Sequence, residues 1–273
     1  MIIQRGAADG RFFAITMDQH TALAGAFAAS FGNARFAPVA PRELLLYVIA
    51  HHDKGWVDLD AAPATDAATG LPYNLVETPM ADIVPTSIAS PDFNERHHPY
   101  CGLISSMHSW GLYNGRYGLS DKVLLDQVPA AQRPLVQRML DHEFARQQRL
   151  RAALAQDPAA AAWVEESHLF QNYKQLQFFD TLALYFNRMA EGAREATVFE
   201  HVPFDAAHDT EVALRPAGPG EYAMDPYPFG DAPVEFGFEG RYIEAGPTGT
   251  PVDWGSRLAA TPVERQRFLL RAA

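Results

Sequence analysis

The stretch Pro41 to Asp60, PRELLLYVIAHHDKGWVDLD, constrains the fold more than any other part of the chain. Proline at a first helical position and glycine just past a last turn predict a helix that opens at Pro41 and closes in His51-His52-Asp53-Lys54-Gly55. Leu45, Val48 and Ile49 fall on one face, so the helix is expected to be buried. It then delivers two imidazoles and a carboxylate to its C-terminal end. Burying such groups unpaired is costly, or shifts their pKa until they are neutral. A divalent cation would satisfy them together, since neutral imidazole and carboxylate are its usual nitrogen and oxygen ligands. The other reading is a helix end whose polar residues are solvated.

A second anomaly lies in a long helix expected over about 158–191, where Leu169, Tyr173, Leu176, Asp180 and Leu184 form one stripe. Asp180 is a carboxylate in the middle of an apolar face, within LQFFDTLALYF, and a cation or hydrogen-bond donors should meet it. Near the N-terminus, Ile2 to Gln4 and Phe12 to Thr16 flank Asp9-Gly10 as a short hairpin. Thr16 or Asp18 then caps a helix running to about Phe31. Its stripe of Leu23, Phe27 and Phe31 includes His20, which reads either as a hydrogen-bonded core histidine or as a ligand.

Trp56 to Arg96 is long, polar and proline-containing, and reads as a lid or substrate-selecting loop, or as a surface excursion. It returns to His97-His98, after which Pro99 opens a helix to about Trp110. His97 and His98 lie eleven and ten residues before His108, so either can share a helix-start approach to a common centre. His142, in the charged DHEFARQQR run, reads as solvated. After Thr197 short alternating runs, at Glu211–Arg215, Tyr222–Met224, Val234–Phe238 and Arg241–Ile243, predict antiparallel strands, followed by a short helix from Thr261. The expected fold is mainly α. A helical bundle over 1–196, with its hairpin, carries a β-rich appendage over 197–273, and the two share a small antiparallel sheet.

Composition narrows the function. The formal charge of -11 gives the chain no general attraction for nucleic acid or anionic membrane. Cys101 is the single cysteine, which excludes an intramolecular disulfide. No apolar run approaches the roughly 18 residues of a membrane span, and MIIQRGAADGRFFAIT does not have the make-up of a signal peptide. A cytoplasmic protein with a small-molecule substrate is expected, and an oligomer is left open.

The ligand-type residues form an ordered set: His20, then His52-Asp53, then His98 and His108, then Asp180. This resembles the HD-domain superfamily of metal-dependent phosphohydrolases, whose core pattern is H…HD…D, and Lys54-Gly55 strengthens the likeness. His98-Pro99-Tyr100-Cys101-Gly102 is similar to the H-P-x-x-G of the longer, two-metal form. The resemblance covers about residues 16–190. It implies an HD-like bundle in which His20, His52, Asp53 and Asp180 bind a first divalent metal. His98 and His108 would bind a second, bridged by Asp53. Iron, manganese, magnesium, zinc and nickel are not distinguished. Asp53 and Lys54 would be catalytic, and His51, His97, Arg96, Arg116 and Lys174 would contact a phosphorylated, nucleotide-like substrate. For each of these cations a solvated surface role is the competing reading. Some superfamily members hold two irons and oxidise small molecules with O2, which gives a second function; a non-catalytic ligand-binding protein is a third. With HHDKGW, HSWGLY and a β-rich tail, the whole chain also looks like an uncharacterised bacterial family of unknown function.

Overall fold

Local sequence signals place most of the helices. Thr16 Oγ1 accepts from the Gln19 N–H and opens α1, Met17–Ser30. Helix α2 spans Arg42–His51, with Pro41 as its cap residue, and a short turn leads into α3, Val57–Ala61. Helix α4, Met80–His97, is followed by α5, Pro99–Tyr113, with Pro99 at its first position. Two longer helices, α6 (Arg133–Ala155) and α7 (Glu166–Arg188), complete the helical layer, and α8, Trp254–Ala260, lies near the end of the chain. This computed structural model describes residues 1–7 and 9–273; Ala8, in the expected hairpin turn, lies outside the described residues.

Strands β1 (Ile2–Gln4), β2 (Phe12–Ile15), β3 (Thr197–Pro203), β4 (Asp209–Gly218), β5 (Glu221–Asp225), β6 (Val234–Ile243) and β7 (Glu264–Ala272) form one sheet in the order β1-β2-β6-β7-β5-β4-β3. All neighbours are antiparallel except the parallel pair β5 and β7. The sheet curls into a half-barrel, and its aromatic inner face grips α1 and α7. Phe27 of α1 lies 4.6 Å from Phe236, and Phe186 of α7 stacks on Phe268 at 3.7 Å between ring centroids. Burying one such ring stabilises the fold by about 1.5–3 kcal/mol. The sheet is therefore the platform that fixes the two helices carrying His20 and Asp180.

The expectation of a mainly α, all-helical HD-like bundle with a small sheet is corrected. About 49% of the chain is helical and 20% lies in strands of a seven-stranded sheet, which makes this a mixed α/β fold. Two misreadings account for the difference. The run from Glu264 is β7, not a helix: it buries Phe268 and Leu270 alternately, and a short apolar cluster such as FLL does not declare its period. The segments 234–238 and 241–243 are one ten-residue strand, β6, which joins the hairpin to the tail.

The long-loop reading of residues 56–96 is also corrected, because Met80–His97 is helical in spite of Pro85 and Pro91. Packing of α4 along α5 outweighs the hydrogen bonds that the prolines cannot donate. Gly55 lies where the turn after α2 meets α4. Its N–H donates to Ser90 Oγ at 2.9 Å, and an added Cβ would lie 2.8 Å from Ser90 N. Gly55→Ala is expected to lower unfolding stability by about 1–3 kcal/mol in urea denaturation. An unchanged midpoint would show that α4 yields freely at this contact.

Candidate metal centre

Four elements converge on one spot. Helix α1 brings His20, the end of α2 brings His52 and Asp53, α5 brings His108, and α7 brings Asp180. Close packing of α1 on α2 makes this convergence tight: a Cβ on Gly25 would lie 2.8 Å from the Cβ of Ala50. His20 Nε2 is 3.1 Å from Asp180 Oδ1. His52 Nε2 is 3.7 Å from both Asp180 Oδ1 and Asp53 Oδ2, and His108 Nε2 is 4.0 Å from Asp53 Oδ1. Such separations are the edges of a coordination shell whose members each lie about 2.0–2.2 Å from one central ion. Among the described residues these side chains form two overlapping triads, His20-His52-Asp180 and His52-Asp53-His108, each able to hold a metal ion.

The far side of each ring is held by a partner. His20 donates from Nδ1 to Asn187 Oδ1 at 3.0 Å, and His52 donates from Nδ1 to the Ile49 carbonyl at 2.7 Å. Both contacts place the remaining lone pair on Nε2, facing the centre. Nδ1 of His108 lies 2.8 Å from Gln177 Nε2, while the buried Oε1 of the same amide has no partner, which favours the amide turned over. With that oxygen turned to Nδ1, His108 also donates outward and presents a bare Nε2 inward. His52 Nε2 is fully buried and has no hydrogen-bond partner. An orphaned lone pair between two carboxylates calls for a proton or a cation.

Electrostatics without a cation follow the same geometry. Burial works against a charge on His52, yet Asp53 and Asp180 outweigh it and hold the ring's pKa up at about 9. Burial pushes Asp180 upward, but the facing imidazoles of His20 and His52 take it well below the usual carboxylate range. His108 is driven down to about 4 by burial and by the charge on His52. Asp53 is the member that keeps some contact with solvent, with 17% of its side chain exposed.

The other residues singled out from the sequence lie outside this cluster. His98 belongs to neither triad: its Nδ1 accepts the Tyr100 N–H at 3.0 Å as the cap of α5, ten residues before His108. That spacing is about 15 Å along a helix. His51 donates to the Tyr47 carbonyl, and the exposed His97 stacks on the Tyr47 ring at 3.5 Å. Lys54 is paired with Asp18 at 2.9 Å and Lys174 with Asp209 at 2.5 Å, while Arg96 lies over Phe93 at the surface. Arg116 is half-buried and has no acidic partner among the described residues. Gln177 and Asn187 were missed by the sequence reading. Their signal was present, since they stand three residues before and seven after Asp180 on the same helical face.

Residues 1–245 match a family model described as a protein of unknown function (DUF3891). The chain belongs to this family. No curated protein and no solved structure matches it. All five converging residues lie inside the DUF3891 match, as do Gln177, Asn187 and six of the seven strands. No helix among the described residues is long and apolar enough to cross a membrane.

Proposed function

We propose that the chain is a metal-dependent hydrolase that cleaves a phosphate ester or phosphoanhydride of a small, nucleotide-like molecule. The observation that carries this reading is the buried convergence of three imidazole Nε2 atoms and two carboxylates around the unpartnered His52 Nε2. A divalent cation held there supplies Lewis acidity, which brings the pKa of a water molecule toward neutrality and polarises a phosphoryl oxygen. The chain's own residues do the rest. Asn187, the Ile49 carbonyl and Gln177 fix the three rings. Asp53, at the solvent side, is placed to take the proton of the incoming water. Lys54, engaged with Asp18, is better read as fixing the turn after α2 than as a catalytic group.

A three-imidazole, two-carboxylate set favours manganese, iron, nickel or zinc over magnesium. It favours one ion over two, because the triads share His52 and His98 stays at the start of α5. For the same reason the two-iron oxygenase reading is less well supported. The test is elemental analysis of protein purified without added metal, followed by turnover of an aryl phosphate ester and a panel of nucleotides with manganese. About one equivalent of transition metal and hydrolysis lost in His52→Ala are expected. Metal-loaded protein that cleaves no phosphate ester, or His52→Ala that works as well as the parent, rejects hydrolysis here and leaves a binding protein.

A further inference from the structure

A cleft of about 1000 Å³ lies between α7, β3 and the segment after α5. That volume is at the large end of small-molecule sites. It adjoins the centre through one side chain: Gln177 lines the cleft, and its amide holds His108 Nδ1. Among the described residues three cations on its walls, Arg116, Lys122 and Arg188, have neither an ionic partner nor a side-chain hydrogen bond, whereas the guanidinium of Arg194 is taken up by the Met189 and Phe186 carbonyls and the Tyr222 hydroxyl. Such a concentration is unexpected on a chain of net charge -11. The cleft's two glutamates, Glu195 and Glu200, are exposed and lie toward β3.

Arg116 is presented by an unusual backbone. Gly115, Arg116, Tyr117 and Gly118 all have positive φ, at 57°, 51°, 58° and 89°, so the chain makes a left-handed turn. For the two residues with a Cβ this conformation is unfavourable and persists only where surrounding structure enforces it. Tyr117 provides that enforcement. Its hydroxyl donates to Gln147 Oε1 at 3.0 Å, and its ring packs on Trp110 and Tyr173. With Tyr117 anchored inward, the guanidinium of Arg116 is held in the cleft, half-buried and unpaired.

We propose that this cleft binds the phosphate-bearing part of a small organic substrate, with Arg116 as its principal contact and Lys122 and Arg188 at the rim. A multiply charged oxyanion is what three unpaired cations around one cavity select, and a guanidinium meets phosphate through two parallel N–H donors. The proposal rests on the hydrolase reading for calling the ligand a substrate. Anion binding in the cleft itself requires no metal.

The test titrates metal-free full-length protein with sodium pyrophosphate at low ionic strength, by calorimetry, in the parent and in His52→Ala. Saturable binding in both is expected, weakened at least about tenfold by Arg116→Asn, which removes the charge while tolerating left-handed backbone. Arg116→Gly is a second variant: it should melt at a higher temperature than the parent yet bind pyrophosphate as weakly as Arg116→Asn. Undiminished binding in Arg116→Asn, or no saturable binding in the parent, overturns the proposal. Binding lost in His52→Ala but kept in Arg116→Asn assigns the anion to the centre and likewise overturns it. Citrate binding as tightly as pyrophosphate replaces phosphate by carboxylate and rejects the class named here. If the protein holds no metal but Arg116 still governs pyrophosphate binding, the hydrolase reading fails and the cleft stands.

Discussion

Asp180→Ala is expected to strip the protein of metal and to destabilise it at the same time. Asp180 is 4% exposed, and its carboxylate faces His20 Nε2 at 3.1 Å and His52 Nε2 at 3.7 Å. Removing it takes one of the two carboxylates from the buried, positively charged His52, leaving only the partly exposed Asp53, and takes the only carboxylate from His20; breaking a buried pair in this way costs about 3 kcal/mol or more. The melting temperature should fall by on the order of 10 °C for a chain of this size. Metal content, measured by elemental analysis of the same preparation, should drop below about a tenth of the parent value, because a carboxylate ligand is lost with the charge that favours the cation. Asp180→Asn separates the two effects: the shape is kept, so the fold should suffer less while the metal is still lost. Asn187→Leu acts one contact further out, by releasing the His20 ring, and should weaken metal affinity about 10–100-fold. Full metal occupancy in Asp180→Ala, at parental affinity, would remove this carboxylate from the ligand set and reject the His20-His52-Asp180 triad as the site of the cation.

The centre was legible in sequence wherever a residue type contradicted its own pattern. Asp180 on an apolar stripe, His20 among Leu23 and Phe27, and His52-Asp53 at the end of a buried helix were each anomalies of helical period, and the structure brings them together with His108. His98 was not legible, because its alternative employment is invisible in a motif. A side chain just before Pro99 is in position to accept the first free N–H groups of α5, and capping took that histidine. Gln177 and Asn187 were overlooked for a related reason: a lone amide in a helix signals little until the ring that it holds is known. The sheet was underestimated because its largest coupling is non-local. Strand β6 pairs with β2 more than two hundred residues away, as in Phe13 opposite Tyr242, and no local pattern encodes that partnership. The left-handed turn at Gly115–Gly118 shows the limit most clearly. Two glycines announce a turn, but only Tyr117 packing against Trp110 and Tyr173 reveals that Arg116 is held there under strain.

The second large effect is a pH dependence of metal binding with a defined end point. Without a cation, His52 holds its proton up to about pH 9, because Asp53 and Asp180 outweigh the penalty of burial. A raised folded-state pKa contributes stability that is fully present below the ordinary histidine value of about 6.5 and is lost as pH rises through about 9. A cation must displace that same proton from Nε2, since Nδ1 is committed to the Ile49 carbonyl. Affinity, measured by competition with a chelator, is therefore expected to climb about tenfold per pH unit up to about pH 9 and to level off above it. His108, pushed down to about 4, adds a second proton only in acid, and Asp180, depressed by the imidazoles, adds none between pH 6 and 9. The melting-temperature gap between metal-loaded and metal-free protein should accordingly widen over the same window, as the free form loses the His52 contribution while the loaded form tightens. Two outcomes distinguish the source of the proton. In His52→Gln the slope should vanish along with most of the affinity, whereas in Asn187→Leu the affinity should fall while the slope and its end point near pH 9 persist, since His20 and not His52 has lost its partner. A flat profile between pH 6 and 9 in the parent protein would mean that no proton is exchanged for the cation at His52. The orphaned Nε2 would then have to be satisfied by something other than a metal.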